Sequence, residues 1–264
     1  MMTMLRSLVF NVLFYLNLVG QLLLFSPVFF VISEEKAWRI VKNWARSSLW
    51  LLRHVAGIRA SITGKRNVPF AAAIIAAKHQ SFWDVFALLP DLDRPTFILK
   101  KELLAIPFFG WYASRMAMIP VDRARRGGAV ASMIEGAQKA VAEGRQIVIF
   151  PEGTRTAPGA EADYRQGVFR LYEALKLPVV PVALNSGLYW PRRRFIRRPG
   201  TIRADILEPI EPGLTRVDFL DRLRQAIETR SSELLAEAYA NDGHLPADPV
   251  LRERIARPAS SAKG

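Results

Sequence analysis

Cysteine is absent from this chain of 264 residues, and histidine occurs only as His54, His79 and His244. The absence of cysteine excludes disulfides, thiolate metal sites and a cysteine nucleophile, and it favours a catalytic part that faces the cytoplasm. Three histidines leave few ways to build a histidine metal cluster, and we expect no bound metal or cofactor. The sequence also contains neither a G-x-G-x-x-G fingerprint nor a Walker A loop, so nothing in it supports dinucleotide or nucleoside triphosphate chemistry.

The charge is strongly positive, with 37 lysines and arginines against 24 aspartates and glutamates, a formal net charge of +13. Residues 1–70 alone hold nine basic and two acidic side chains. Such an excess predicts an anionic partner, either nucleic acid or the headgroups of an acidic membrane. Half of the residues are hydrophobic, so a sizeable core can be buried. The length suits one globular domain with an extra element, or two small domains.

Residues 7–33 form an uncharged run of 27 residues, most of them apolar. As a helix rising about 1.5 Å per residue, this run exceeds the roughly 30 Å thickness of a bilayer's hydrocarbon core. A secretory signal peptide is the main alternative, but its apolar part spans about 7–15 residues and precedes a small-residue cleavage site that is missing here. Asn11, Asn17 and Gln21 recur near helical spacing and predict a helix packed against a partner in the membrane, with a kink at Pro27.

Residues 34–57 predict that partner, a basic amphipathic helix. One helical stripe carries the apolar residues Trp38, Val41, Trp44, Ala45, Leu49, Leu52 and Val55. Basic helices rich in tryptophan favour the lipid interface, so we expect this stripe at the headgroup boundary. The alternative is an ordinary helix that packs against the core of a soluble domain. Because the tryptophans adjoin an apolar run, the anionic partner is expected to be a membrane and not nucleic acid.

Beyond residue 70, short apolar runs alternate with helical stretches. The predicted strands are residues 71–77, 96–99, 116–121, 146–150, 179–184 and 201–207, and the predicted helices are residues 127–142, 167–176 and 216–240. This alternation predicts an α/β domain with a mainly parallel or mixed sheet flanked by helices. We therefore expect three parts, namely an N-terminal helical hairpin over residues 1–58 that anchors the chain to a membrane, the α/β domain over 59–240, and a flexible tail over 241–264.

A candidate base and its partner occur in Lys78-His-Gln-Ser-Phe-Trp-Asp84, directly after the first predicted strand. His79 and Asp84 can meet only if His79 lies in the turn before a helix, with Ser81 as the N-cap and Asp84 at the third helical position. An imidazole that faces a carboxylate has a fixed tautomer, and its other nitrogen can then take a proton from a hydroxyl. The alternative is a capping box beside a histidine at a strand end.

A second segment, Phe150-Pro-Glu-Gly-Thr-Arg155, ends the very apolar strand at residues 146–150. Ligands gather at the carboxyl ends of strands in open α/β sheets. Gly153 lets the backbone approach a ligand closely, Thr154 offers a hydroxyl, and Arg155 offers a planar fork suited to phosphate or carboxylate. The alternative is a polar turn in which Glu152 and Arg155 pair with each other.

Three other residues follow or interrupt predicted strands. Arg123 is the last residue of Ile119-Pro-Val-Asp-Arg123, at the end of the predicted strand at residues 116–121. Lys100 directly follows the predicted strand at residues 96–99. Pro181 lies within the strand at 179–184, which favours an edge strand or a bulge. Three features together indicate base-assisted transfer at a phosphorylated lipid. They are two arginines suited to binding an anion, a candidate His–Asp dyad and a membrane anchor.

At these residues the chain resembles the lysophosphatidic acid acyltransferases, the PlsC-type 1-acyl-sn-glycerol-3-phosphate acyltransferases of the glycerolipid acyltransferase superfamily. The histidine and aspartate separated by four residues match the family's first motif, and the strand through Arg123 matches the second. Phe150-Pro-Glu-Gly-Thr-Arg155 matches the third and the segment around Pro181 the fourth, in the family's order over roughly residues 60–210. One departure is Ala117, at a position that is often glycine in the family, which could crowd the glycerol-phosphate pocket.

The resemblance implies acyl transfer from acyl-CoA or acyl-acyl carrier protein to the sn-2 hydroxyl of 1-acyl-sn-glycerol 3-phosphate, giving phosphatidic acid in phospholipid biosynthesis. His79 is then the general base, oriented by Asp84, and no acyl-enzyme forms. The implied acceptor site has Arg123, Arg155 and Lys100 at the phosphate, with Glu152, Gly153 and Thr154 shaping it. The resemblance also implies an α/β domain behind an N-terminal hairpin at a bacterial inner membrane, facing the cytoplasm, with membrane lipids as partners.

Other hypotheses remain at this point. The acceptor could be another lyso-lipid, such as lyso-ornithine lipid, because His79 and Asp84 would serve any alcohol, although paired arginines favour a phosphate. A different class is a non-catalytic membrane adaptor. A cluster of five arginines, Arg192, Arg193, Arg194, Arg197 and Arg198, could contact a second headgroup, dock a carrier protein, or simply be solvated.

Overall fold

The computed structural model describes residues 1–122 and 128–246. Within these residues the helices are α1 (Met2–Phe29), α2 (Glu34–Leu51), α3 (Trp83–Phe86), α4 (Phe109–Arg115), α5 (Ala129–Ala142), α6 (Gln166–Leu175), α7 (Ser186–Tyr189) and α8 (Arg216–Asn241). The strands are β1 (Ile58–Thr63), β2 (Ile74–Ala77), β3 (Thr96–Lys100), β4 (Ile119–Val121), β5 (Ile147–Ile149), β6 (Val179–Leu184) and β7 (Gly200–Ile206). All seven strands join one sheet, and the helices flank it, which confirms the predicted fold class.

The sheet is mixed, and its larger part is parallel. The strand order is β1-β7-β6-β2-β5-β3-β4. Every neighbouring pair from β6 to β4 is parallel, whereas β7 runs antiparallel to β6 and β1 is parallel to β7. The carboxyl ends of β6, β2, β5, β3 and β4 therefore meet along one edge of the sheet, and the chain leaves each of these strands toward the same side of the molecule.

Alternate residues of the central strands face two separate cores. Ile75 and Ala77 of β2 belong to a cluster that includes side chains of α1, α2 and α3. Ile74 and Ala76 belong to a second cluster, built with α5, α6 and the first half of α8. A strand buried on both faces needs apolar residues at every position, which explains the continuous apolar runs in the sequence.

The hairpin of α1 and α2 is joined by polar side chains. Asn17 Nδ2 donates to the hydroxyls of Ser47 and Ser48 at 3.0 and 3.1 Å, and Gln21 Nε2 donates to Ser47 Oγ at 3.1 Å. Asn11 instead donates to the carbonyl of Phe195, at 3.1 Å. The predicted packing of α1 on a partner helix is confirmed for Asn17 and Gln21. These hydrogen bonds avoid the free-energy cost of placing unpaired amide and hydroxyl groups in apolar surroundings.

The outer face of α1 is apolar and exposed. Its exposed residues include Leu5, Leu8, Val12, Leu16, Val19, Leu23 and Leu24. In the described part of the chain, α1 is the one helix long and apolar enough to cross a membrane, and it lies near the N-terminus. Such a face has no partner in water, so this helix indicates that the protein associates with a membrane.

The apolar stripe of α2 faces the protein. Trp38 and Ala45 are buried, and Trp44 packs against the same core, whereas Trp50, which lies off the stripe, is exposed. The expectation that this stripe lies at the headgroup boundary is therefore wrong, and the alternative of a core-packing helix is correct. An amphipathic pattern indicates only that one face of the helix is buried. The same pattern results whether that face contacts a lipid surface or a protein core.

Two strand predictions began too early. β2 begins at Ile74 instead of residue 71, and β4 begins at Ile119 instead of residue 116. The second difference arises because α4 occupies the preceding residues and Ala117 turns the chain with a φ of +52°. Ala117 thus lies before the amino end of β4, at the opposite end of this strand from the edge where the parallel strands end.

Pro181 lies in an internal strand, not at an edge, since β6 pairs with β2 on one side and β7 on the other. Its missing N–H is tolerated because the pairing beside it is irregular. Val182 pairs with Ile206 and Val179 pairs with Ile210. The three residue steps from Val179 to Val182 are therefore opposite four steps, from Ile206 to Ile210. This extra residue makes the local pairing a bulge, which is one of the two arrangements predicted from the proline.

Candidate active site

The candidate residues gather where the parallel strands end. His79 follows β2, Glu152, Gly153, Thr154 and Arg155 follow β5, and Lys100 ends β3. These strands are consecutive in the sheet, in the order β2-β5-β3, with β4 beyond them. The edge therefore brings together residues that are 21 to 76 positions apart in the chain. Arg123 lies outside the described residues, one position after Asp122, which follows the adjacent strand end.

His79 and Asp84 form the predicted contact. His79 Nδ1 lies 3.0 Å from Asp84 Oδ2, and the imidazole stacks on the ring of Phe150, with centroids 4.0 Å apart and planes inclined by 18°. With Nδ1–H donating to the carboxylate, Nε2 is the nitrogen left to accept a proton. Within the described part of the chain Nε2 has no hydrogen-bond partner, and 14 % of the side chain is exposed. The ring is thus fixed in orientation and open at one nitrogen.

The turn that carries Asp84 differs slightly from the predicted cap. Helix α3 begins at Trp83, so Asp84 is its second residue and not its third. Asp84 Oδ2 accepts hydrogen bonds from the backbone N–H groups of Gln80 and Ser81, at 2.6 and 2.8 Å, and Ser81 Oγ accepts from the Trp83 N–H at 2.9 Å. The aspartate therefore closes the turn before the helix as well as contacting the histidine.

The second carboxylate oxygen of Asp84 is held from another strand. Ser186, which follows β6, donates its hydroxyl to Asp84 Oδ1 at 2.5 Å, and both side chains are fully buried. The neighbouring Gly187 N–H donates to Gln80 Oε1 at 2.9 Å. A short hydrogen bond to a buried carboxylate restricts its rotation. Ser186 and Gln80 thus fix the Asp84 turn to the end of β6.

A buried charged network lies behind His79. Its backbone N–H donates to Glu152 Oε1 at 2.9 Å, and Lys78 Nζ lies 3.7 Å from the same oxygen. Lys78 also binds both carboxylate oxygens of Glu228 on α8, at 2.7 and 2.8 Å, and Tyr164 donates its hydroxyl to Glu228 at 2.9 Å. Burial raises the pKa of Glu152, and the charge of Lys78 opposes that rise. Glu152 therefore holds the backbone of the histidine, and it is not paired with Arg155.

The segment after β5 turns sharply toward the surface. Gly153 has a φ of +67°, a conformation that a side chain disfavours, and its N–H donates to Phe150 O at 2.9 Å. The turn leaves Thr154 exposed and Arg155 half-buried. Burial lowers the pKa of Arg155, Arg192 lowers it further, and Asp84 acts in the opposite direction. The Arg155 guanidinium therefore lies within electrostatic reach of the dyad, in surroundings that favour an anion.

Lys100 is exposed at the end of β3, in register with Val121 of β4. Lys101 Nζ lies 3.4 Å from Asp122 Oδ2, whereas Lys100 has no acidic side chain within ion-pair distance among the described residues. Lys100 thus adds an uncompensated positive charge to the same edge. Over residues 1–122 and 128–246, no three histidine or acidic side chains are grouped so as to hold a metal ion.

Sequence reasoning did not identify Ser186, Lys78 or Glu228 as members of the site. Lys78 directly follows an apolar run, and a lysine buried there needs an acidic partner, so its position in the sequence could have indicated a buried ion pair. Ser186 gave none, because a serine after a strand is an ordinary loop residue. The partners are 102 and 150 positions away in the chain, for Ser186–Asp84 and Lys78–Glu228 respectively.

Known proteins resemble this chain over most of its length. The sequence model of the family described as Acyltransferase matches residues 59–185, which include the dyad and Arg155. The 1-acyl-sn-glycerol-3-phosphate acyltransferase of Pseudomonas aeruginosa is 34% identical over 232 residues, covering 86% of this chain and 90% of that protein. The 1-acyl-sn-glycerol-3-phosphate acyltransferase alpha of Mus musculus is 30% identical over 206 residues, covering 74% and 72%.

A solved structure shares the fold. The crystal structure of the 1-acyl-sn-glycerophosphate (LPA) acyltransferase PlsC from Thermotoga maritima superposes with a TM-score of 0.72, covering 89% of this chain and 96% of that one at 24% identity. The motifs, the fold and the similarity over most of the chain lead to one conclusion: this chain belongs to the PlsC-type 1-acyl-sn-glycerol-3-phosphate acyltransferase family.

Proposed function

We propose that the protein transfers an acyl group to the sn-2 hydroxyl of 1-acyl-sn-glycerol 3-phosphate and so forms phosphatidic acid for phospholipid synthesis. The acyl donor is acyl-CoA or acyl-acyl carrier protein. The observation that carries this proposal is the oriented imidazole of His79, held at Nδ1 by Asp84 and unpartnered at Nε2, with the guanidinium of Arg155 near the dyad. The relatives that bear this activity in their names support the choice of acceptor.

In the proposed reaction His79 Nε2 accepts the proton of the acceptor hydroxyl as the oxygen attacks the thioester carbonyl. The C–O bond forms, the C–S bond breaks, and the imidazolium returns its proton to the departing thiolate. Asp84 keeps the tautomer in which Nδ1 carries the other proton, and it stabilises the charge that develops on the ring. No acyl-enzyme is required, because the base serves the acceptor directly.

The acceptor's phosphate is proposed to bind Arg155 and Lys100, together with Arg123. A guanidinium presents parallel N–H groups that match phosphate oxygens, and a lysine adds a point charge. Gly153 and Thr154 border this position, and Glu152 shapes it from below through the His79 backbone. The roles of these six residues are part of the proposal.

The exposed apolar face of α1 supports the proposed location, a bacterial inner membrane with the α/β domain on the cytoplasmic side. Residues 1–58 then act as the anchor and residues 59–240 as the catalytic domain. Of the tail expected over residues 241–264, residues 247–264 lie outside the described residues, whereas Leu245 is buried and Asp242 accepts a hydrogen bond from the Tyr189 hydroxyl at 2.6 Å, so the domain extends at least to Leu245. This arrangement would keep the site close to the headgroups, so the acceptor's acyl chain need not leave the bilayer.

The test is His79→Ala in the full chain, assayed with labelled acyl-CoA and lysophosphatidic acid in detergent micelles. We expect kcat/KM to fall by about 10²- to 10⁴-fold, which is the usual contribution of a general base. His244→Ala is the matched control, because His244 is exposed and bonds only the carbonyl of Pro199 among the described residues. Transfer near the wild-type rate by a folded His79→Ala protein would refute the proposed mechanism.

The acceptor is tested with Arg155→Ala. Loss of its guanidinium should raise KM for lysophosphatidic acid by about tenfold or more, since a hydrogen bond to a charged group contributes roughly 1.5–3 kcal/mol. The KM for a monoacylglycerol, which lacks the phosphate, should hardly change. If lyso-ornithine lipid is acylated faster than lysophosphatidic acid by the wild-type protein, the proposed acceptor is wrong.

A further inference from the structure

The five arginines in residues 191–198, between α7 and β7, fall into two groups. Arg197 is buried, its guanidinium lies 4.6 Å from the centroid of the Trp190 ring, and its Nη1 donates to the carbonyls of residues 194, 195 and 196. Arg198 Nη1 donates to the carbonyl of Leu188 at 2.9 Å. The Nη1 groups of these two arginines are thus bonded to backbone carbonyls of the loop and of α7, and they hold the loop in place.

The other three, Arg192, Arg193 and Arg194, are exposed. In the described part of the chain, no carboxylate lies within 4.0 Å of their side-chain nitrogens. Arg192 donates to the backbone carbonyl of Arg155 at 2.7 Å, and Arg192 and Arg193 both lower the pKa of Arg155. The loop therefore carries concentrated positive charge at the border of the proposed acceptor site, and it lacks neutralising acids.

The same loop is bound to α1. The Arg197 N–H donates to Ser7 Oγ at 2.9 Å, and Asn11 donates to the Phe195 carbonyl at 3.1 Å. The Phe195 side chain, 48% exposed, borders a groove of about 460 Å³. The other wall of this groove is the outer face of α1, where Leu8, Val12 and Leu16 lie. An apolar groove is thus bordered by Phe195, the residue that directly follows the exposed Arg194 in the chain.

We propose that this groove and the exposed arginines bind one anionic diacyl phospholipid of the membrane, at a site separate from the acceptor site. The phosphate would contact Arg193 and Arg194, and an acyl chain would lie between Phe195 and α1. Arginine is suited to the phosphate because its planar fork donates two parallel hydrogen bonds. The inference rests on the proposed placement of α1 in a membrane.

The groove decides which anion is favoured. An acidic carrier protein would need the arginines alone, and it would gain nothing from a lipid-facing groove on α1. A phospholipid needs both features side by side, positive charge for its headgroup and an apolar surface for its chain. Because the groove is on the face of α1 that is proposed to contact lipid, its occupant can be supplied from the bilayer itself.

The experiment titrates the full chain, in a neutral detergent, with short-chain phosphatidylglycerol, phosphatidylcholine of the same chain length, and inorganic phosphate, by calorimetry. The wild-type protein should bind phosphatidylglycerol more tightly than either other probe. Arg193→Gln with Arg194→Gln should weaken that binding about 25-fold, or about fivefold per arginine. Arg192 is left unchanged because it contacts Arg155. Phe195→Gln should also weaken phosphatidylglycerol binding and should leave the response to phosphate as it is in the wild type.

The matched control is Lys176→Gln with Arg216→Gln. These two exposed residues line a separate depression at the amino end of the sheet, and Lys176, like Arg193, has a positive φ. The control protein should bind phosphatidylglycerol as the wild type does. Arg155→Ala should also retain this binding while losing affinity for lysophosphatidic acid, so failure of the proposed acceptor site and failure of the lipid site give different results.

Three results would overturn the inference. The first is equal phosphatidylglycerol affinity in the wild type and the Arg193/Arg194 variant. The second is full competition by inorganic phosphate, which would mean an ordinary anion site without a role for the groove. The third is an unchanged lipid affinity together with a raised KM for acyl-acyl carrier protein alone, which would assign the loop to protein docking.

Discussion

Lys78 is the residue whose loss should most clearly reveal the charged network behind His79. Its ammonium group is buried between Glu228, at 2.7 Å, and Glu152, at 3.7 Å. Replacing it by methionine in Lys78→Met leaves two carboxylates close together without their shared cation. Removing one partner of a buried pair costs about 3–5 kcal/mol, and the lower value applies here because the Glu228 side chain is 29% exposed. A loss of about 3 kcal/mol corresponds to a melting temperature lower by roughly 6–12 °C in a domain of this size.

The effect should depend on pH, with a defined sign. Burial raises the folded-state pKa of Glu152 above its ordinary value, and Lys78 opposes that rise. An acid with a raised folded-state pKa contributes its full stability below the ordinary pKa, and that stability is lost as the pH rises through the folded-state value. Without Lys78 the pKa of Glu152 rises further, so the loss continues to higher pH. The difference in melting temperature between wild type and Lys78→Met should therefore be larger at pH 8 than at pH 5.

The assay is thermal unfolding of the full chain in detergent at these two pH values. Lys139→Met is the matched control, because Lys139 forms an exposed pair with Glu135 at 2.7 Å and such pairs contribute little. Adding Glu228→Gln to Lys78→Met should restore part of the stability, since it removes one of the two carboxylates left without their cation. A melting temperature for Lys78→Met within about 2 °C of the wild type at both pH values would refute the network argument. Equal losses at pH 5 and pH 8 would refute the part assigned to Glu152.

Two further substitutions test the dyad's support and the turn before β4. Ser186→Ala removes the hydroxyl bonded to Asp84 Oδ1. In initial-rate measurements kcat should fall about ten- to a hundredfold, and KM for the acceptor should change little. A change in KM alone would contradict a positioning role for Ser186. Ala117→Gly should raise the melting temperature by roughly 2–4 °C, because a left-handed conformation costs a residue with a side chain about 1 kcal/mol. A lower melting temperature would show that backbone strain at Ala117 does not decide the effect of this substitution on stability.

The elements that could be predicted from the sequence are those whose pattern has a single physical cause. β6, residues Val179–Leu184, was predicted with its observed bounds because it is buried on both faces and reads as an unbroken apolar run. β1 was not predicted as a strand. It pairs only with β7 at the edge of the sheet, and its sequence, Ile-Arg-Ala-Ser-Ile-Thr, mixes buried and exposed positions. Helix α4 was missed because its seven residues are too few to show a helical period.

The candidate site divides in the same way. The contact between His79 and Asp84 is local, so the sequence could state the one arrangement that allows it, with His79 in the turn before a helix, and the structure shows that contact. The groups that support it come from elsewhere, since Ser186 lies on β6's end and Glu228 on α8, and no local pattern relates them to the motif. The stripe of α2 was assigned to lipid for a related reason: Trp38 packs against distant residues that its own helix does not reveal.

The aromatic side chain of Phe14, on α1, has a consequence for how this enzyme can be handled. Its ring contacts Phe82, which lies between His79 and Asp84, and also Trp190 and Phe86, with centroids 5.4 to 5.8 Å apart. A shortened protein starting at Ile58 would expose these three rings to water and remove the floor beneath the His79 turn. Removing residues 1–57 to obtain a soluble enzyme should therefore yield a protein that aggregates and is inactive, and detergents must be chosen so that α1 keeps its contacts with these rings.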